Sequence, residues 1–283
     1  MKKLTTAFLF GIAVSLATEC LAQSAPSAVV AGQPVNNAPG LTTYRDTTAA
    51  SSDTYTGIYV GTRWLPLRTQ SGVVALDYTD HSPSKDNFTA TRPVKASNYA
   101  FNLDIGVEGG RRNGPHVELL LGGSWGETLV RFYAQFGYGR NFSLTKNGAV
   151  TVRPVLNVSY GNVRYKLGDM FQNDEFIQVD GKRFYSEKVG VAAVTNPLVL
   201  LPRLDVPIRL TRKIQLKLHG GYHLTLRQGD MALRFTGEDA DDEMISAREA
   251  ATSDHVNLRV NDRETTHMPV KLDGFTFGAG LVF

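Results

Sequence analysis

The sequence predicts an all-β fold: an eight-stranded antiparallel up-and-down β-barrel that crosses a membrane with its strands. Three observations predict it. From Thr56 onward the apolar residues of each convincing segment recur with period two, the spacing of a strand. Beyond the N-terminus no segment nears the ~18 consecutive apolar residues of a helical span. The last ten residues, Gly274–Phe283, set Phe275, Phe277, Ala279, Leu281 and Phe283 on one face and Thr276, Gly278, Gly280 and Val282 on the other. In water such an ending would expose an apolar tip and an unpaired sheet edge. In a closed membrane barrel it has lipid on one side and a partner along each edge.

The N-terminus carries Met1-Lys2-Lys3, an apolar run from Ala7 to Ala17 and Cys20-Leu21-Ala22 before Gln23, so residues 1–22 are expected to be a cleaved signal peptide. Glu19 argues against lipid attachment at Cys20, and cleavage would leave no cysteine for disulfides, thiolate metal sites or nucleophiles. Loss of Lys2, Lys3 and Glu19 from 30 basic and 27 acidic side chains leaves a formal charge of +2, and no basic stripe argues for nucleic acid. Residues 23–55, rich in Ala, Ser, Thr, Pro, Gly and Asn, read as a flexible periplasmic lead, and 56–283 as the barrel.

The first strand alternates Ile58, Val60, Thr62 and Trp64 with Tyr59, Gly61 and Arg63. The second sets Tyr99, Phe101, Leu103, Ile105 and Val107 against Asn102, Asp104, Gly106 and Glu108. Val117, Leu119 and Leu121 oppose Glu118 in the third; Val130, Phe132, Ala134, Phe136 and Tyr138 oppose Arg131, Tyr133 and Gln135 in the fourth. The fifth sets Val150, Val152, Pro154, Leu156, Val158 and Tyr160 against Arg153, Asn157 and Ser159. The sixth opposes Leu198, Leu200, Leu204, Val206, Ile208 and Leu210 to Arg203, Asp205 and Arg209, and the seventh Ile214, Leu216, Leu218, Tyr222 and Leu224 to Lys217, His219 and His223. The C-terminal strand makes the eighth. Connections 67–98, 166–197 and 227–272 are long and alternate with short ones at 110–116, 143–149 and 211–213, as in barrels with long outer loops and short periplasmic turns; only 125–128 is short out of turn.

Alternation does not say which face points outward, and a secreted lipocalin-like barrel has the same pattern inverted. Two features favour the membrane: the closing strand, which a soluble barrel leaves unexplained and which alone breaks the ambiguity, and the polar face. That face mixes Arg63, Asp104, Glu108, Glu118, Arg131, Arg153, Arg203, Asp205, Arg209, Lys217 and His219 with small residues, which suits a narrow lumen whose charges pair with one another. A three-residue turn at Thr211-Arg212-Lys213 would pair residues whose numbers sum to 424, placing Asp205 beside His219 and Arg203 beside Gly221. Pro154, Pro202 and Pro207 then require bulges, strand ends or lost ladder bonds.

Other motifs have plainer readings. His219 and His223, four residues apart on a strand, are separated by ~13 Å and cannot share a metal ion; lumen hydrogen bonding is expected of them. The run Glu238, Asp239, Asp241, Asp242, Glu243 lacks the spacing of a calcium loop and reads as a solvated outer loop. His81 and Ser82 adjoin in a loop, without a Ser/His/acid set, so no catalytic residue is assigned. An open pore is disfavoured because side chains fill an eight-stranded interior; Phe176–Val179 and Phe184–Val189, around Asp180-Gly181, could add a hairpin to the wall.

The closing strand resembles the C-terminal strand of bacterial outer-membrane β-barrels, and the chain is similar to the small OmpA/OmpX-like and PorT-like families. The resemblance implies an assembly signal in Phe275, Phe277, Leu281 and Phe283, read by the barrel-insertion machinery of a Gram-negative envelope. It implies a monomer in outer-membrane lipid, without cofactor, metal or enzymatic activity, acting as a scaffold, binding or envelope-accessory protein. Its partner would be an unidentified protein or surface ligand at the loops. A small pore and a lipid A-modifying barrel enzyme are the alternatives.

Overall fold

A computed structural model describes residues 54–69, 72–94, 97–146, 148–171 and 176–283; the expected signal peptide and lead lie outside these, except Thr54 and Tyr55, which belong to the first wall strand and not to the lead. Eight strands form the wall: β1 (Thr54–Thr69), β2 (Ser97–Arg111), β3 (Pro115–Trp125), β4 (Leu129–Arg140), β5 (Thr151–Phe171), β6 (Leu198–Arg209), β7 (Gln215–Arg227) and β8 (Gly274–Val282). Each pairs antiparallel with the next, and β8 pairs with both β7 and β1, so the wall closes without an edge. The final ladder step is made by Phe283, which exchanges backbone hydrogen bonds of 3.0 and 3.1 Å with Ile58.

The expected register between β6 and β7 holds: Asp205 faces His219, Arg203 faces Gly221, and Leu210 N–H donates to the Ile214 carbonyl at 3.0 Å. Each proline sits where its missing N–H does least harm. The β6–β7 ladder skips Leu201 and Pro202 and then resumes in the same register, Pro154 lies just past the last β4–β5 pair, and Pro207 falls in a gap between the Asp205–Arg153 pair and the bridge of Ile208 to Val150.

The two faces are those of a membrane barrel. Along β2 the outward Tyr99, Phe101, Leu103, Ile105 and Val107 are 49–58% exposed, whereas the inward Asn102, Asp104 and Glu108 are 1–3% exposed. This apolar row is ~26 Å long and, tilted by about 40°, stands close to the height of a bilayer's apolar band. Trp64, Phe132, Leu156, Leu204, Leu218, Phe275 and Phe277 continue the belt around the wall.

The long connections depart from the expected solvated loops and fold together into one cap. Past the wall, β5 pairs with the strand Lys188–Thr195, which pairs with Ala232–Glu238 and then Met244–Ala250. Opposite lies a four-stranded sheet of Gly72–Thr79, Asn87–Val94, Val256–Val260 and Arg263–Glu264. Leu76, Tyr78, Met170, Leu233, Phe235 and Leu258 fill the space between. Apart from Lys188–Thr195, which is apolar and buried on both sides, the cap strands carry their large apolar residues mainly on one side, and none can bury that side until the others arrive. A hairpin does turn at Asp180-Gly181, but Ile177–Val179 pairs with Lys182–Phe184 and not with Phe184–Val189, and it joins the cap, leaving the wall at eight strands. Leu65, Ala100, Leu129, Val163 and Val199 carry the same apolar core down into the barrel's upper mouth. The acidic run forms an exposed hairpin tip between two cap strands, with Asp242 at φ 60°.

Candidate functional site

Below the cap the lumen is filled by ionised side chains in two tiers. Nearer the short turns, Glu108, Glu118 and Asp205 meet Arg153, Arg203 and Lys217. Register places Glu108 directly opposite Glu118, a repulsive arrangement unless cations intervene. They do: Lys217 Nζ lies 2.5 Å from Glu108 and 3.4 Å from Glu118, Arg153 donates to Glu108 at 2.9 Å, and Arg203 donates to both oxygens of Glu118 at 2.7 Å. Arg203 also grips Asp205 through Nε at 2.6 Å and Nη2 at 2.9 Å. Three cations balance three carboxylates, all at most 4% exposed, which is how a low-dielectric interior tolerates them.

The second tier lies nearer the cap. Arg63 makes a two-pronged pair with Asp104 at 2.7 and 2.9 Å, while Tyr133 donates to the same carboxylate at 2.5 Å. Arg131 stacks 4.3 Å over the Tyr133 ring and donates to Ser159 at 2.8 Å. Gln135 joins the tiers, accepting from Arg63 at 3.2 Å and donating to Asn157 at 3.1 Å and Glu118 at 3.4 Å.

Glycines across the ladder make room for these long side chains. Arg63 faces Gly278, Asp104 faces Gly122, Glu118 faces Gly137 and Lys217 faces Gly280. A Cβ on Gly278 would lie 2.7 Å from Arg63 Cγ and 2.4 Å from His219 Nε2, and one on Gly122 2.5 Å from Asp104 Oδ1. The small face of the C-terminal strand is thus the mould for the charges.

Of the residues singled out in the sequence, Arg63, Asp104, Glu108, Glu118, Arg131, Arg153, Arg203, Asp205 and Lys217 come together in the lumen. Two depart from expectation. Arg209 lies outside the buried tiers: its backbone is still held in the wall, donating to the Ala149 carbonyl at 2.8 Å, but at this last step before the turn its side chain lines the turn-end mouth. His219 lies opposite Asp205 and is buried, but its ring nitrogens, like those of His223, meet no hydrogen-bond partner among the described residues, since Arg203 and Lys217 hold Asp205. Residues not singled out also take part: Tyr59 under Lys217 at 3.8 Å, Asn141 accepting from Arg153 at 2.6 Å, and His116 at 2.6 Å from Tyr55 Oη. For Tyr59 the signal was its shared parity with Arg63.

Glu108, His116 and Glu118 bring ligand-type atoms within 4.8 Å of one another. Arg153, Lys217 and Arg203 already occupy those carboxylates, so the set does not fit a metal ion. In the cap, His81 stacks on His255 at 3.9 Å with Nε2 3.1 Å from Glu249, whereas the Ser82 hydroxyl turns to Asp80 at 2.5 Å and Ser84 at 2.9 Å. The serine and histidine are therefore not arranged as nucleophile and base.

Charges buried inside a closed wall, with aromatic and aliphatic side chains outside it, settle the inside-out question. The chain is a small eight-stranded transmembrane β-barrel of the outer-membrane type. No family model and no curated protein matches its sequence. Among solved structures, the beta domain of the Bordetella autotransporter BrkA is similar over 81% of this chain and 98% of its own, at 13% identity and a TM-score of 0.27. The outer membrane protease OmpT from Escherichia coli is similar over 80% and 96%, at 10% identity and a TM-score of 0.21. At such scores neither likeness bears on what this barrel does.

Proposed function

We propose that the protein is a non-enzymatic, non-conducting scaffold of the bacterial outer membrane, which holds its folded cap outside the cell for binding or envelope integrity. The carrying observation is the doubly closed lumen: a charge-balanced tier below and an apolar core above. Short turns at one end and the cap at the other favour the orientation in which the turns face the periplasm. The apolar belt supports residence in outer-membrane lipid as a monomer, and the Phe-rich closing strand supports delivery by the barrel-insertion machinery. The cap is a rigid platform on which an unidentified protein or surface ligand would dock. Planar-bilayer recording tests the closed lumen directly: no steady channels are expected, and large steady ones would overturn the reading. Unchanged lipid A mass on expression is the matching expectation against an enzyme.

A further inference from the structure

The short-turn end of the barrel opens into a cavity of about 340 Å³. Its floor is Arg153, which is 2% exposed, and its rim carries Arg112, Arg209, Arg212 and Lys213. Arg112 comes from one turn, Arg212 and Lys213 from another and Arg209 from the end of β6, and none of the four makes a side-chain hydrogen bond or ion pair to a described residue. No Asp or Glu side chain lines the cavity; Tyr55, Asn141, Thr151 and Gln215 are its neutral hydrogen-bonding side chains, and Phe283 brings the main-chain carboxylate of the last residue to the wall as one counter-charge against the four rim cations. The concentration is particular to this end: the chain as a whole is nearly balanced, and an acidic hairpin tip of Glu238, Asp239, Asp241, Asp242 and Glu243 crowns the opposite end.

Four like charges around one concavity repel one another, and only part of that repulsion is screened where the cavity walls exclude solvent. A dianionic oxyanion would relieve it, meeting guanidinium forks whose geometry matches phosphate oxygens. The volume exceeds that of a single phosphate and admits a diphosphate or a phosphorylated headgroup.

We propose that this vestibule binds a phosphate or diphosphate group, with Arg209 and Arg212 as its principal contacts and Arg112 and Lys213 closing the rim. The inference rests on the closed barrel and is independent of the scaffold role. The group could be free or carried by a lipid, and the test separates the two. Full-length protein folded in neutral detergent is titrated with pyrophosphate by calorimetry, then floated with vesicles of phosphatidylcholine alone or mixed with phosphatidylglycerol. One pyrophosphate per chain is expected, with affinity falling about tenfold or more in Arg209→Gln/Arg212→Gln and unchanged in Arg263→Gln, a cap control. If only phosphatidylglycerol is retained, and the double variant loses that retention, the headgroup is the ligand. Absence of both interactions, or binding unaffected by the double variant, overturns the proposal. Heat-modifiable migration verifies folding of each variant; should the double variant not fold, the single variants Arg112→Gln and Lys213→Gln carry the same comparison.

Discussion

Replacing Lys217 by Met removes one of the three cations that neutralise Glu108, Glu118 and Asp205. Lys217 Nζ lies 2.5, 3.4 and 3.8 Å from those carboxylates and 3.8 Å above the Tyr59 ring, and neither the amine nor its carboxylate partners is exposed to solvent. At an effective dielectric of about 20, a unit-charge pair ~3.5 Å apart is worth roughly 5 kcal/mol. Desolvation of the amine and repulsion from Arg153 and Arg203 cancel much of the summed attraction. Breaking a buried pair on one side costs about 3–5 kcal/mol, and the lower figure applies here because Glu108 keeps Arg153 and Glu118 keeps Arg203. The double variant Lys217→Met/Glu108→Gln restores neutrality in the tier, so it is expected to recover more than half of the loss. Urea unfolding in liposomes, followed by tryptophan fluorescence, measures both. A single-variant cost below ~1 kcal/mol, or a double variant no more stable than the single, would refute charge balance as what holds the lumen.

Three further outcomes follow from the same contacts. Gly278→Ala drives a methyl to 2.2 Å from the Thr62 carbonyl oxygen and should destabilise by about 1–3 kcal/mol or more, whereas Gly220→Ala, whose nearest neighbour is 3.4 Å away, should be almost silent; their urea midpoints compare them. Phe235→Ala empties a fully buried site beside Tyr78 and should cost the cap ~3–5 kcal/mol, seen as faster proteolysis of the cap while the wall keeps its heat-modifiable migration. Phe283→Ala keeps the backbone bonds to Ile58, so refolding in detergent should be unaffected while the yield in the outer-membrane fraction falls; equal yields would count against the assembly signal.

The wall was legible because its information is local. Parity along each strand placed Asp104 inside and Leu103 outside, and one short turn fixed the β6–β7 register through the sum of 424. The partners of each charge were not legible. Arg203 reaches across the lumen to Glu118, 85 residues away in sequence, and takes Asp205 as well, which leaves His219 without the carboxylate its register offered. The cap was missed for a related reason. Tyr78 and Phe235 meet at 4.7 Å from connections far apart in the chain, and strands such as Gly72–Thr79 are too short to declare their partners by period. Arg209 failed as a member of the buried charge network because parity says which face a side chain takes and not how deep along the axis it lies.

The central claim is the inside-out wall, and bimane labels at single cysteines in a Cys20→Ser background, read against brominated lipid, test it most directly. Leu103→Cys, Val158→Cys and Phe277→Cys should be quenched, and their neighbours Asn102→Cys, Ser159→Cys and Thr276→Cys should not, because the former face outward and the latter are buried in the lumen. Equal quenching of neighbours, or quenching of the second set alone, would contradict a transmembrane barrel.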